Sequence, residues 1–321
     1  MCWYCNQSGL FKCQSRYKGF KDRSRETRGN CIAEAKKLAF KKIKYLFSFL
    51  TTLPVKGPES FEEIADGFYI APFVGFIIGC LAGLLAYILS LIFPPLLTGI
   101  LILGFLFLIT GLHHTDGLFD FGDGLMAHGD PERRLEVMTD LRIGVGGIGL
   151  GLIILMTTFL SISEIIRLSS PFSALIIPGS FRVNTFLEFF LGIPMIIQAL
   201  IIAEVSAKLS MVMIAAAGKP AKKESMALTV IKRMKNKGKF AISIILSLLF
   251  LVPFQWIGII GLFTGILVAL LINSISVKRF NGITGDVMGA TNDISRVVTL
   301  LCIIAITEMV CPCALGFRIP I

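Results

Sequence analysis

Seven stretches of this chain, near residues 67–93, 96–112, 145–166, 185–203, 239–254, 255–277 and 297–315, are apolar over lengths that suit a bilayer. That leaves few folds open. A hydrocarbon core about 30 Å thick takes about 20 helical residues to cross, and only helices or closed barrels satisfy every backbone N–H and C=O inside it. The expected fold is all-α, a polytopic transmembrane helix bundle of about seven spans with cytoplasmic active-site loops. Composition agrees, with 55% hydrophobic residues, 16% charged residues and a mean hydropathy of +0.79. The run 205–217 reads as too short to span, and the Gly and Pro residues between 171 and 194 suggest a broken or re-entrant segment.

Most of the 31 Lys and Arg lie in residues 1–44 and 219–239, and basic loops stay in the cytoplasm. Counting crossings from a cytoplasmic N-terminus puts 113–142 and 278–296 on that same side. A multi-pass protein of the cell membrane is expected, its acidic segments facing the cytoplasm. The net charge of +10 then reflects topology and anionic lipid instead of nucleic acid, although a basic rim also attracts a phosphorylated substrate. Residues 1–34 read as a basic, disordered extension without the apolar core of a cleavable signal, and 35–321 as the integral membrane catalytic domain. The eight cysteines form no framework, and Cys2-x2-Cys5 has no second pair to complete a zinc site.

Against this apolar background, Asp116, Asp120, Asp123 and Asp140 crowd one short window beside His114. The i, i+4, i+7 spacing of the first three places them within roughly 60° of arc on a helix. Carboxylates that close repel one another unless a cation neutralises them, and an all-oxygen set suits a hard divalent ion such as Mg2+. Asp286 and Asp293 repeat the seven-residue interval and suggest a second wall, with Thr284, Gly285 and Asn292 as polar or amide contacts for a bound anion. Arg142 opens the glycine-dense run Gly144–Gly149, where helix N–H groups favour phosphate, although close helix packing explains those glycines as well. Asp140 serves either a substrate or a pair with Arg142. Asp130 ahead of Pro131 reads as a helix cap, and His113 and His128 as structural. His114 is the candidate base, ligand or orienter.

The segment His114-Thr115-Asp116-Gly117-Leu118-Phe119-Asp120-Phe121-Gly122-Asp123-Gly124 resembles the H-x-D-G-x-x-D-x-x-D-G signature of cobalamin synthase, the adenosylcobinamide-GDP ribazoletransferase family. Phe49–Val55, Pro72–Gly75, Glu136–Gly144 and Gly282–Ala290 are similar to further motifs of that family, so the likeness runs from about residue 46 to 300. Three positions depart from it: Thr52 and Lys208 stand where Arg is common, and Arg296 near a position that often holds Glu. The resemblance implies that a ribazole hydroxyl attacks the phosphate joining cobinamide to GMP, with GMP leaving. The expected roles are Mg2+ on Asp116, Asp120 and Asp123, Asp286 and Asp293 completing the shell or binding a second ion, His114 as base or supporting group, and Arg142 on the leaving phosphate. Two rivals are weaker. A CDP-alcohol phosphotransferase would carry D-G-x-x-A-R, which is missing, and a cation transporter would scatter its acids along a pathway or show inverted repeats.

Overall fold

A computed structural model describes residues 4–5, 11–12, 23–55, 57–58, 60–169 and 193–310. The chain divides into Met1–Lys42 and Ile43–Ile321. In the first unit two short strands, β1 (Tyr4–Cys5) and β2 (Phe11–Lys12), pair antiparallel with Tyr4 opposite Lys12. Helix α1 (Arg23–Leu50) starts inside the segment expected to be disordered, and its last turns, from Ile43, belong to the second unit.

The second unit is helical. After α2 (Phe61–Gly67) come α3 (Ala71–Ser90), α4 (Pro95–Thr110), α5 (His113–Met126), α6 (Pro131–Met138), α7 (Val145–Ser169), α8 (Met195–Ala217), α9 (Met226–Met234), α10 (Lys237–Leu251), α11 (Gln255–Phe280) and α12 (Gly285–Val310). Among the described residues five helical stretches are long and apolar enough to cross a membrane: Phe61–Ser90, Val145–Ser169, Met195–Ala217, Lys237–Phe280 and Gly285–Glu308. The pair α4–α5, bent by 97°, is a further candidate. Large apolar side chains such as Leu84, Leu108, Ile153, Phe263 and Leu267 stay exposed on α3, α4, α7 and α11, as lipid-facing surfaces require.

The stretch Lys237–Phe280 is not one crossing. Forty-four residues of straight helix would measure about 66 Å, twice a hydrocarbon core. The chain reverses at Gln255, whose backbone takes φ 55 and ψ −135, and a side chain at Gly258 would collide with the Leu251 carbonyl. Lys239 at the start of α10 pairs with Asp66 just before α3, and Phe280 at the end of α11 stacks edge-on against Phe121 of α5.

Helix α8 is the hub, with 89% of its spanning window buried. Glycines 75, 79 and 83 of α3 lie against Glu204, Ile201 and Ile197, so α3 runs antiparallel to α8 at backbone-to-backbone distance. The expected span 185–203 is shifted: residues 185–192 lie outside the described set, and the helix includes the run 205–217 that reads as too short. Glu204 and Lys208 do not end the span, because both are paired inside the bundle. For the same reason α12 begins at Gly285 and not near 297. The re-entrant segment expected at 171–194, residues 311–315 and Cys2, Cys13, Cys311 and Cys313 fall largely or wholly outside the described residues; Cys80 and Cys302 are free thiols.

These pairings give the long helices from α3 onward a direction. The N-terminal ends of α3, α7, α10 and α12 and the C-terminal ends of α4, α8 and α11 meet at one end of the bundle, where the acidic segments lie.

Candidate active site

Helix α5 builds the site by leaving the path of α4. Gly111 and Leu112 both take left-handed backbone angles, φ 66 and 63, and turn the chain by 97°. Thr52 fastens this corner, its hydroxyl donating to the Leu108 carbonyl at 2.6 Å and its N–H to Ile109 at 2.8 Å. Helix α5 then lies across the starts of α7 and α12. A Cβ on Gly117 would stand 2.8 Å from the Asp286 Cα, and one on Gly289 3.1 Å from the His114 carbonyl oxygen, so two glycines let α5 and α12 touch backbone to backbone.

This crossing gathers four of the expected carboxylates. Asp116 is exposed, Asp120 and Asp286 are partly buried and Asp123 is buried. Burial, and then the charges of Asp286, Asp116 and Asp123, push the Asp120 carboxyl up to about 7. The donor chemistry therefore fits a hard divalent cation: oxygen groups of like charge, without enough local compensation. The side chains have not converged, however. Among the described residues no three His, Cys, Asp or Glu groups stand close enough to hold a metal as they are.

Asp123 has a second duty. Its oxygens accept from the N–H groups of Gly144 and Gly147, each at 2.7 Å, and so cap the start of α7 across 21 and 24 residues of sequence. Gly144 thus meets a protein carboxylate. Thr284 likewise caps α12, accepting from Val287 N–H at 3.2 Å, while Gly285 is exposed with open space around it. Asp130 caps α6 as expected, accepting from Arg133 N–H at 2.9 Å.

Arg142 and Asp140 pair with each other at 2.9 Å on an exposed loop, and the hydrogen bonds from Arg142 hold the Asp140 carboxyl below its usual range. That loop reaches the carboxylates through Gly144. A basic loop arrives from the other side: Ala221 N–H donates to the Ile283 carbonyl and Ile283 N–H to Lys219, placing Lys222 where its charge acts on Asp286. Read from sequence, 219–239 marks membrane orientation and part of a basic rim that attracts a phosphorylated substrate, with nothing to say that it would be bridged to the segment leading into Asp286.

Not every expected residue comes to this cluster. His114 is buried on the opposite side of α5 from Asp116, against Gly289, with an Nδ1 that has no hydrogen-bond partner. Asp293 and Asn292 lie deeper along α12, in a buried polar network. Arg296 donates to Glu204, and also to Asp293 at 2.6 Å; Asn292 donates to Asp293 at 2.9 Å and accepts from Lys208 at 2.7 Å; Thr115 donates to Asp293 at 3.1 Å. In the sequence Lys208 and Arg296 stand out only as departures from the family pattern, and nothing there joins them to Glu204.

A model of the family described as cobalamin-5-phosphate synthase matches residues 42–304. The chain belongs to the cobalamin-5-phosphate synthase family. Its relatives include proteins named adenosylcobinamide-GDP ribazoletransferase from Methanococcoides burtonii, 34% identical over 83% of this chain and 93% of that one, and from Methanosarcina barkeri, 34% identical over 82% and 91%. One of the same name from Saccharolobus solfataricus is 40% identical over 41% of this chain and 51% of its own. No solved structure matches. The matched span of the synthase family takes in α5, the Asp140–Arg142 loop, the lysine loop and α12 up to residue 304, and leaves residues 1–41 outside it.

Proposed function

We propose that this membrane enzyme joins α-ribazole, or its 5'-phosphate, to adenosylcobinamide-GDP, giving adenosylcobalamin, or its phosphate, and GMP. Membership of the synthase family and the shared name of the long relatives support the reaction. The observation that carries the site is the α5–α12 crossing, which brings Asp116, Asp120 and Asp286 to one end of the bundle between a lysine loop and an arginine loop.

In this reaction a ribazole hydroxyl forms a bond to the phosphorus attached to cobinamide, the bond from that phosphorus to the GMP oxygen breaks, and the hydroxyl proton is lost. We assign Asp116, Asp120 and Asp286 to holding Mg2+, with Asp123 at the rear of the set. When bound, such an ion polarises phosphate oxygens and orients the diphosphate. Lys222 adds positive charge beside Asp286. Arg142, on the exposed loop that leads into Gly144, meets the leaving phosphate. Asp123 keeps the end of that loop in place by capping α7. His114, buried on the other side of α5 from Asp116, is left out of the metal set. We assign this end of the protein to the cytoplasmic face of the cell membrane, a reading that the lysine-rich loops support.

The test is turnover in detergent. Purified protein given adenosylcobinamide-GDP, ribazole and Mg2+ should release GMP, and a chelator should stop it. Protein that is folded yet releases no GMP would end the assignment, and release that survives chelation would end the metal's part in it.

A further inference from the structure

We propose that Asp293 is a positioning residue: it anchors α5 through the Thr115 hydroxyl, so that a neutral ionic network inside the membrane sets where the catalytic carboxylates stand. This rests on the reading of Asp116, Asp120 and Asp286 as the reacting end of the molecule.

Asp293 is only 2% exposed, and both of its oxygens are taken. One accepts from Arg296 and Asn292, and the other from Thr115. Arg296 is held in turn by Glu204, and Asn292 by Lys208, so two acids and two bases close a charge-balanced group between α8 and α12. Seven residues of helix separate Asp293 from Asp286, a rise of about 10 Å, which puts Asp293 well below the carboxylate cluster. Charge is kept inside a membrane protein at a cost, and among the described residues this group's hydrogen-bond link to α5 is the one from Thr115.

That link is placed to matter. Thr115 immediately precedes Asp116. The close approaches of Gly117 to Asp286 and of Gly289 to His114 are steric, and steric contacts hold a helix register less strictly than a directional bond does. The hydrogen bond from Thr115 adds a directional point and so selects a single register, which in turn fixes the distance from Asp116 and Asp120 to Asp286. Misplacement of reacting groups by about 1 Å can cost about 100-fold in rate.

The lead variant is Thr115→Val, which keeps shape, loses the donor and leaves the ionic group intact. In detergent it should fold with nearly the wild-type thermal midpoint, yet lose about tenfold or more in kcat and need more Mg2+ for half-maximal rate. Thr115→Ser, which restores the hydroxyl, should return to within about twofold of wild type. Where Asp293→Asn folds, combining it with Thr115→Val should slow turnover no further than Asp293→Asn alone. Wild-type kcat in Thr115→Val, or equal losses in the Val and Ser variants, would overturn the proposal. A ligand role for Asp293 is the opposite pattern, a severe Asp293→Asn with a harmless Thr115→Val. Chelation of the wild type is a separate arm: turnover that survives it removes the metal, while the Val and Ser comparison still decides the anchoring.

Discussion

Asp120 shows at single-residue scale what the site demands. Its carboxyl is pushed up to about 7 by burial and by three neighbouring acids, so near neutrality it is caught between holding a proton and holding a cation. The folded state therefore binds this proton more tightly than the unfolded chain, whose carboxyl titrates near 3.8. The stability that follows is complete below that lower value and is lost as pH rises through the upper one. With chelator present, the thermal midpoint should fall between pH 6 and pH 8, and Asp120→Asn should flatten that slope. The same variant should lose most GMP release while remaining folded; normal turnover would refute its assignment. With metal present the sense inverts, and more Mg2+ should be needed for half-maximal rate as pH drops from 8 to 6. Much of this residue set was legible in sequence, because the Asp116, Asp120, Asp123 spacing is a property of one helix. The duty of Asp123 was not, since its partners Gly144 and Gly147 begin another helix. Nor was that of Asp293: seven residues return to the same face, but the interval does not say how far below the surface it ends.

At the scale of elements, the crossing of α5 over α12 is the joint on which the site turns. Gly117→Ala would drive a methyl group into the Asp286 backbone, 2.8 Å from its Cα, and neither chain has a flexible end to yield. Overpacking of this kind costs about 1–3 kcal/mol. The variant should lower the thermal midpoint and also depress kcat, because relief comes only by parting the two helices that carry the acids. Asp130→Ala, which removes the cap of α6 on an exposed loop, should cost about 1 kcal/mol with little effect on kcat, and it is the control for a purely structural loss. Hydropathy located α3, α4, α7, α10 and α11 well, because the charged residues they carry lie toward their ends. It misplaced α8 and the start of α12, where polar residues lie within the span. A window of sequence registers Glu204 as a break, and its partner Arg296 is 92 residues away.

Over the helical unit, the carboxylates proposed to act gather at one end of the bundle. Single cysteines at Ala127, Glu224 and Asn281, in a background without the native ones, should all react with an impermeant maleimide from one side of sealed vesicles, and one at Ile92 only from the other. Labelling of the first three from different sides would break the topology. Removal of residues 1–34, which precede the family match at residue 42, should leave kcat within about twofold. The buried group between α8 and α12 also bears on how the protein is made. Helix α8 is synthesised and presented to lipid long before α12 exists, carrying a glutamate and a lysine at its middle. The two lie four residues apart, on one flank, so each can shield the other during the wait. Arrival of Arg296 and Asp293 then exchanges that provisional partnership for the permanent one. A nascent chain in which Lys208 were made neutral would have to lodge an unshielded acid in the bilayer while its C-terminal third was still on the ribosome, so insertion yield, more than the stability of molecules that did mature, is where such a change would be felt.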